Sequence, residues 1–385
     1  MNKDKYVFAQ MVGFLDNFKF LRIVKKYDGN HYVKHFTCWN QLLTLMFGQL
    51  CNRESLRDLI VALNAHQEKC YHLGVGKHVT RSNLAKANEN RDYRIFEDFA
   101  FYMMGEARNK RVNDIFQLNG NVYAFDSTTI DLCLKLFPWA KFRKYKGGIK
   151  VHTLYDVETQ VPAFIHITEA KVNDVKAMDS ISYESGSYYV FDRAYNDYKR
   201  LFKIHMKDSF FVVRAKTNIK SRVLKWKRRL PKNILSDCEI ELTGYYSQKA
   251  YPERIRMVRY WDEDDQREFI YLTNAKQISA LQVAELYKNR WQVELFFKWI
   301  KQHLRIKAFY GTTENAVKTQ IWISISVYVL VAIVKKALNL DQNLYTILQI
   351  LSLTLFEKET LYQTLSNISY IKQEDHISNQ LNLFD

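Results

Sequence analysis

Two rhythms of apolar and polar residues divide the chain. Up to about residue 115, apolar side chains recur at steps of three and four, the spacing that gives a helix one buried face. "CWNQLLTLMFGQL" (38–50) and "SLRDLIVALNAH" (55–66) both show it, joined by the turn "CNRE", and "TRSNLAKANENRDYRIFEDFAFYMM" (80–104) opens on a capping signal. Short helices with exposed Arg and Asn suit either a helix-turn-helix DNA reader or a plain bundle. The period then shortens. "NVYAFDSTTI", "IKVHTLYDVET" and "VPAFIHITEA" read as three strands, with the basic loop "KFRKYKGGIK" after the first. Helix-like "NDVKAMDSI", strand-like "SYYVFDRAY", helix-like "NDYKRLFKIHM" and strand-like "SFFVVRAK" follow.

Three strands and then helix–strand–helix–strand is the order of a ribonuclease H-like core, which predicts an α/β fold behind an all-α N-terminal domain. Residues 217–275 interrupt the core with alternating runs such as "CEIELTGYY" and "REFIYLTN", predicting a β-rich insertion. Ser279, with Gln282 three residues on, caps a helix expected from Ala280 to about Leu304. The expected division is therefore 1–115 (helical), 116–216 with 276–338 (core), 217–275 (insertion) and 339–385 (helical segment and tail). The apolar run "IWISISVYVLVAIV" (321–334) is too short for a bilayer and reads as a buried helix, so no membrane partner is expected.

Charge narrows the function. The 385 residues carry a net charge of +16, which suits a polyanionic partner, most often nucleic acid. From Asp341 onward six acids face two bases, so the basic excess lies in the body. The five cysteines form no CxxC pair, which predicts neither a zinc site nor a disulfide frame and favours a reducing compartment. "MNKDKYVFAQMV" lacks the apolar run of a secretory signal, so a cytoplasmic protein is expected.

Three acids stand in costly positions. In "YKNRWQVELFFKWIKQHL" (287–304), a turn of about 100° per residue places Tyr287, Arg290, Glu294 and Lys301 within an arc of about 60°. Trp291 and Phe297 flank that arc, so Glu294 is expected on a half-buried stripe, where a lone carboxylate needs compensation. Asp126 and Asp192 each end an apolar strand run, "VYAF" and "YYVF", where α/β sheets commonly bind ligands. Any one such Asp is more often a turn former. Oxygen ligands without His or Cys favour Mg²⁺, with Mn²⁺ as a substitute. Two such ions would clamp the attacking and leaving oxygens of a phosphodiester.

"DSTTI" around Asp126, "DRAY" around Asp192 and the Tyr-x₂-Arg-x₃-Glu-x₆-Lys signature at Tyr287, Arg290, Glu294 and Lys301 resemble the DDE transposases of bacterial insertion sequences, in the branch sharing the YREK signature (the IS-four family). The resemblance implies Asp126, Asp192 and Glu294 as catalytic metal ligands. It implies that Tyr287, Arg290 and Lys301 contact double-stranded DNA beside the scissile bond, with Arg193, Lys298, Arg228 and Arg229 as further backbone contacts. It also implies a DNA-binding helical N-terminal domain, a homodimer holding paired terminal inverted repeats and target DNA, cut-and-paste movement through a hairpin, and a nucleoid-associated location. An aromatic receiving a flipped base would be Trp226 or Trp261 in the insertion. Ala194 stands where the family has glycine, and would be strained if that turn needs a positive φ.

The final residues "QLNLFD" resemble a peptide that docks on the bacterial DNA sliding clamp, with Leu381, Leu383 and Phe384 filling an apolar pocket and Gln380 making polar contacts. Two other readings of the whole chain remain: a structure-selective nuclease on the same core, or a non-catalytic DNA-binding protein derived from a transposase.

Overall fold

The computed structural model describes residues 5–75, 79–109, 116, 118–143, 146–303 and 309–366. The helical front part holds α1 (Val7–Val12), α2 (Asn17–Lys26), α3 (Cys38–Leu50), α4 (Leu56–Ala65), α5 (Gln67–Cys70), α6 (Arg81–Asn90) and α7 (Arg94–Arg108). Side-chain oxygens start most of the longer ones. Asp16, Thr37, Ser55 and Thr80 each accept the N3 amide of the helix that follows, satisfying a donor the helix itself leaves open.

The strand-rich part carries β1 (Val122–Leu132), β2 (Lys141–Arg143), β3 (Lys146–Asp156), β4 (Val161–Glu169), α8 (Asp174–Ala177), β5 (Tyr188–Phe191), α9 (Tyr198–His205) and β6 (Phe210–Arg214). It continues with β7 (Ser221–Trp226), β8 (Ile234–Leu242), α10 (Tyr245–Ala250), β9 (Ile255–Asp262) and β10 (Arg267–Thr273). All ten strands join one sheet in the order β2-β3-β1-β5-β6-β10-β9-β8-β7, with β4 on the outer side of β3. β1, β5 and β6 run parallel, while β3 against β1 and β10 against β6 are antiparallel. The insertion expected as a subdomain thus extends the core sheet from β6 outward. Strand pairing between β6 and β10 joins segments far apart in sequence, which no local pattern reveals.

Alternation sorts the central strands onto two apolar faces, as expected for parallel strands covered on both sides. Tyr123, Phe125, Tyr189, Phe191, Phe211 and Val213 pack toward α8 and α9 with Met178, Leu201 and Ile204. Val122, Ala124, Val190 and Val212 join the opposite core, continuous with the helical layer.

That layer is completed by α11 (Ala280–Lys288), α12 (Trp291–His303), α13 (Glu314–Ala337), α14 (Leu344–Thr354) and α15 (Leu361–Ser366). The 24-residue α13 is long and apolar enough to cross a membrane by length and composition. It is instead buried over nearly its whole length and packs against α3, α6, α7 and α14. The N-terminal helices therefore share their core with this C-terminal helix. α1 is tied to the other end of the chain by Val7 N–H on the Glu357 carbonyl and by Leu361 N–H on Gln10 Oε1.

The helix expected from Ala280 to about Leu304 is broken. α11 ends at Lys288, the Arg290 amide donates to the Tyr287 carbonyl in a three-residue turn, and α12 begins at Trp291. Ala194 lies in a 3₁₀ turn and is not among the positive-φ residues, so alanine is accommodated there without strain.

Candidate active site

Phe125 on β1 pairs with Phe191 on the parallel β5, so Asp126 and Asp192 sit side by side where that pairing ends. Asp192 follows the last residue of β5. Asp126 does not end its strand: β1 runs on to Leu132, paired there with β3 alone. By alternation both acids project to the face of Ala124 and Val190, which α11 and α12 cover.

The break between α11 and α12 brings the third acid in. Tyr287, the penultimate residue of α11, donates its hydroxyl to Asp192 Oδ1 at 3.0 Å. From the turn, Arg290 Nη1 lies 2.8 Å from Asp126 Oδ2, and Nη2 lies 2.5 Å from Glu294 Oε1 in the first turn of α12. One guanidinium thus sits between two of the carboxylates. Its Nε is buried and has no hydrogen-bond partner among the described residues. Among the described residues no three His, Cys, Asp or Glu side chains form a ready cage for an ion.

Electrostatics separate the two aspartates. Burial pushes Asp126 up to about 6, aided by Glu294 and Asp192 and opposed by Arg290 and the Ser127 amide. Burial also acts to raise Asp192, but the amides of Arg193 and Ala194, Arg290 and the Tyr287 hydroxyl outweigh it, and the net shift is downward. Tyr287 itself is pushed up to about 12 by burial and by Asp192, which keeps it a hydroxyl donor.

The Asp126 shift has a measurable sign. Its ordinary value is 3.8, so the folded chain holds this proton more tightly than the unfolded chain. The resulting stability is complete below about pH 4 and is lost as pH rises through about 6. In thermal unfolding without metal or DNA, the wild type is expected to lose more stability between pH 5 and pH 7 than Asp126→Asn. Parallel pH curves for the two proteins would refute this.

The other candidates scatter. Lys301 lies two turns beyond Glu294 on the same side of α12 by helical spacing. Arg193 is exposed beside Asp192. Lys298 is exposed in a separate groove of about 760 Å³ with Tyr155, Trp299, Tyr328 and Lys335. Trp226, 59% exposed, ends the edge strand β7, and Arg228 and Arg229 follow it in the open. Five strand spacings of about 4.8 Å place that edge roughly 24 Å from β5, so one chain does not bring these residues to its own carboxylates. Gln380, Leu381, Leu383 and Phe384 lie outside the described residues.

A cavity of about 470 Å³ opens beside the acids, and the sequence reading missed it. Asp192, Tyr287, Arg290 and Trp291 line one side, and Arg214, Tyr260, Phe269 and Tyr271 line the other. The guanidinium carbons of Arg214 and Arg267 lie 4.9 and 4.5 Å from the centre of the Phe269 ring. Trp261 alternates away from this cavity, whereas its neighbours Tyr260 and Asp262 line it. The strand positions carry no local mark of a pocket, but Trp291, 45% exposed next to Arg290, was visible as a flanking aromatic.

Residues 118–330 match the family described as "Transposase DDE domain", and residues 3–76 match a "Domain of unknown function (DUF4372)". The chain is 32% identical over 285 residues to "Putative transposase y4zB" of Sinorhizobium fredii, covering 72% of this chain and 78% of that protein. It is 32% identical over 207 residues to "Probable transposase for insertion sequence element IS5377" of Geobacillus stearothermophilus, covering 53% of this chain and 54% of that one. A third relative, "Putative transposase for insertion sequence element IS4SA" of Synechocystis sp., is 25% identical over 289 residues, covering 72% and 76%. A cryo-EM structure of a piggyBac transposase synaptic complex with hairpin DNA aligns with 90% of this chain and 77% of its own, at 12% identity and a TM-score of 0.44, too loose a likeness to argue from. With a family match over more than half its length and a relative this similar, the chain belongs to the DDE transposases, DNA transposases that catalyse strand cleavage and transfer.

Proposed function

We propose that this transposase cuts and joins the ends of its own element on a ribonuclease H-like core, as a member of the YREK branch, with Asp126, Asp192 and Glu294 as its catalytic carboxylates. The observation that carries the reading is that Arg290 joins Asp126 to Glu294 while Tyr287, one turn earlier, holds Asp192. Enzymes with this domain depend on a divalent metal. The donor set fits one: three carboxylates without His or Cys suit Mg²⁺, or Mn²⁺ in its place. Burial is the main cause of the raised Asp126 proton affinity, with Glu294 and Asp192 adding to it, so positive charge brought to this site would favour the ionised carboxylate. When bound, the metal supplies Lewis acidity at the scissile phosphate and a water or 3′-hydroxyl made nucleophilic.

The chain's own groups do the rest. Tyr287 and the amides after β5 keep Asp192 ionised. Arg290, whose buried Nε has no partner among the described residues, is a phosphate ligand once DNA competes for it, and Lys301 adds a second positive charge along α12. Hairpin formation would need a base lifted from the stack, a cost of a few kcal/mol that an aromatic site offsets. The cavity at Trp291 and Phe269 suits that base better than the distant Trp226 or the averted Trp261.

End recognition is assigned to the N-terminal helices. α2 exposes Lys19, Arg22, Lys25 and Lys26 with Phe18, and the loop after it exposes Tyr32, Lys34 and His35. Basic groups interleaved with exposed aromatics suit a DNA backbone. Two copies would hold two ends, and the tail that resembles a clamp-docking peptide would add a bacterial, nucleoid-side partner.

A duplex carrying the DNA that flanks the coding region, incubated with the protein and Mg²⁺ and resolved on a denaturing gel, tests the reading. Cuts at the repeat ends and a hairpin product are expected. Cuts that follow DNA structure rather than the ends would favour a nuclease, and ends cut without a hairpin would remove that step alone. In the same assay Lys19→Glu, Arg22→Glu and Lys25→Glu together should lower the slope of affinity against salt by about 3. An unchanged slope would move the DNA off α2.

A further inference from the structure

We propose that Asp174 is a positioning residue for DNA cleavage: it anchors Ser127 so that Asp126 is held by one oxygen and leaves the other turned to the side where a divalent metal would bind. The inference rests on the reading of Asp126 as a metal-binding carboxylate. Alternation along β1 turns Asp126 to the face covered by α11 and α12, and Ser127 to the opposite face. On that side Ser127 Oγ donates to Asp174 Oδ1 at 2.7 Å, at the first residue of α8.

The anchor is itself fixed. Lys150, two residues before the cross-strand partner of Ser127 and only 13% exposed, places Nζ 3.0 Å from Asp174 Oδ1 and donates to the Val172 carbonyl at 2.9 Å. His152, the cross-strand partner, is fully buried with Nδ1 3.9 Å from the same oxygen and Nε2 2.9 Å from Thr168 Oγ1. Burial holds this histidine down at about 4, so it packs there uncharged.

The far side of the chain shows what the anchor does. The Ser127 amide donates to Asp126 Oδ1 at 2.8 Å, and the Tyr195 hydroxyl reaches the same oxygen at 3.5 Å. Oδ2 is the oxygen that meets Arg290. A serine fixed from behind therefore fixes which carboxylate oxygen faces the chemistry. Groups that orient a ligand in this way typically change metal affinity or rate by about 10–100-fold when removed.

The test uses the full chain and five variants: Asp174→Ala, Asp174→Asn, Ser127→Ala, the Asp174→Ala/Ser127→Ala double mutant, and Asp126→Asn as reference. Mn²⁺ binding by calorimetry, duplex affinity, cleavage rate and thermal unfolding are read for each. Asp174→Ala and Ser127→Ala should each weaken Mn²⁺ binding and slow cleavage by about 10–100-fold with duplex affinity unchanged. The double mutant should lose no more than either single, because both cut one link. Asp174→Asn, which keeps an acceptor for the serine hydroxyl, should recover part of both losses whatever its melting temperature.

Wild-type Mn²⁺ affinity and rate in both singles, or losses that multiply in the double mutant, overturn the proposal. So do losses that follow melting temperature alone. Should Asp126→Asn itself bind Mn²⁺ and cleave as the wild type does, the reading of Asp126 fails first, and the two failures are told apart.

Discussion

If Glu294 is a metal-binding carboxylate as proposed, Glu294→Gln is expected to bind an end-bearing duplex as the wild type does and to cleave it at least about 10³-fold more slowly, a loss of about 4 kcal/mol of transition-state stabilisation. The substitution keeps the side chain's shape at the start of α12. Arg290 keeps its 2.8 Å contact with Asp126. The fold therefore has little to lose: Glu294 is about one-third exposed, and an i,i+4 pair such as Arg290–Glu294 contributes roughly 0.3–0.5 kcal/mol. A cleavage time course in Mg²⁺ beside a binding isotherm checks the separation. Rates within tenfold of the wild type would exclude Glu294 from the chemistry.

Arg256→Met is expected to destabilise the protein by about 3–5 kcal/mol. Arg256 is buried on β9 and makes two 2.8 Å contacts with Asp237 on β8, itself buried. Its Nη1 donates to the carbonyls of Ala275 and Ile278 at 3.0 and 2.7 Å. Methionine fills the volume but strands a carboxylate and two carbonyls in the interior, and Lys227 at 2.9 Å from Asp237 offsets only part of that. Asp237→Leu added to Arg256→Met should restore much of the loss, because the stranded charge goes with it. Urea unfolding midpoints of the three variants measure this, and a single-mutant loss below 1 kcal/mol would contradict it. The carbonyls at 275 and 278 lead directly into α11, so the variant should also cut DNA more slowly where it is still folded.

Much of the candidate site's clustering was legible because its spacing is local. Tyr287, Arg290 and Glu294 share an arc on any helix, and apolar runs before Asp126 and Asp192 mark buried strands. The break at residues 289–290 was not legible, since "KNRW" holds neither proline nor glycine and the apolar spacing runs through it. The contacts made on either side, Tyr287 to Asp192 and Arg290 to Asp126, lie 95 and 164 residues away in sequence. The same holds for Asp174, whose place in "NDVKA" reads as an ordinary helix start until β3 brings Lys150 and His152 beside it. Likewise the pairing of β6 with β10 decides that the insertion is a continuation of the sheet, and nothing within residues 217–275 specifies it.

A sheet that passes unbroken from β5 to β7 acts as a fixed ruler. The roughly 24 Å between Asp192 and the Arg228–Arg229 edge equals about seven base pairs of B-form duplex at 3.4 Å each. One straight duplex laid along the strands' stacking direction would meet the candidate site and the basic edge two-thirds of a helical turn apart, on different sides of its own circumference.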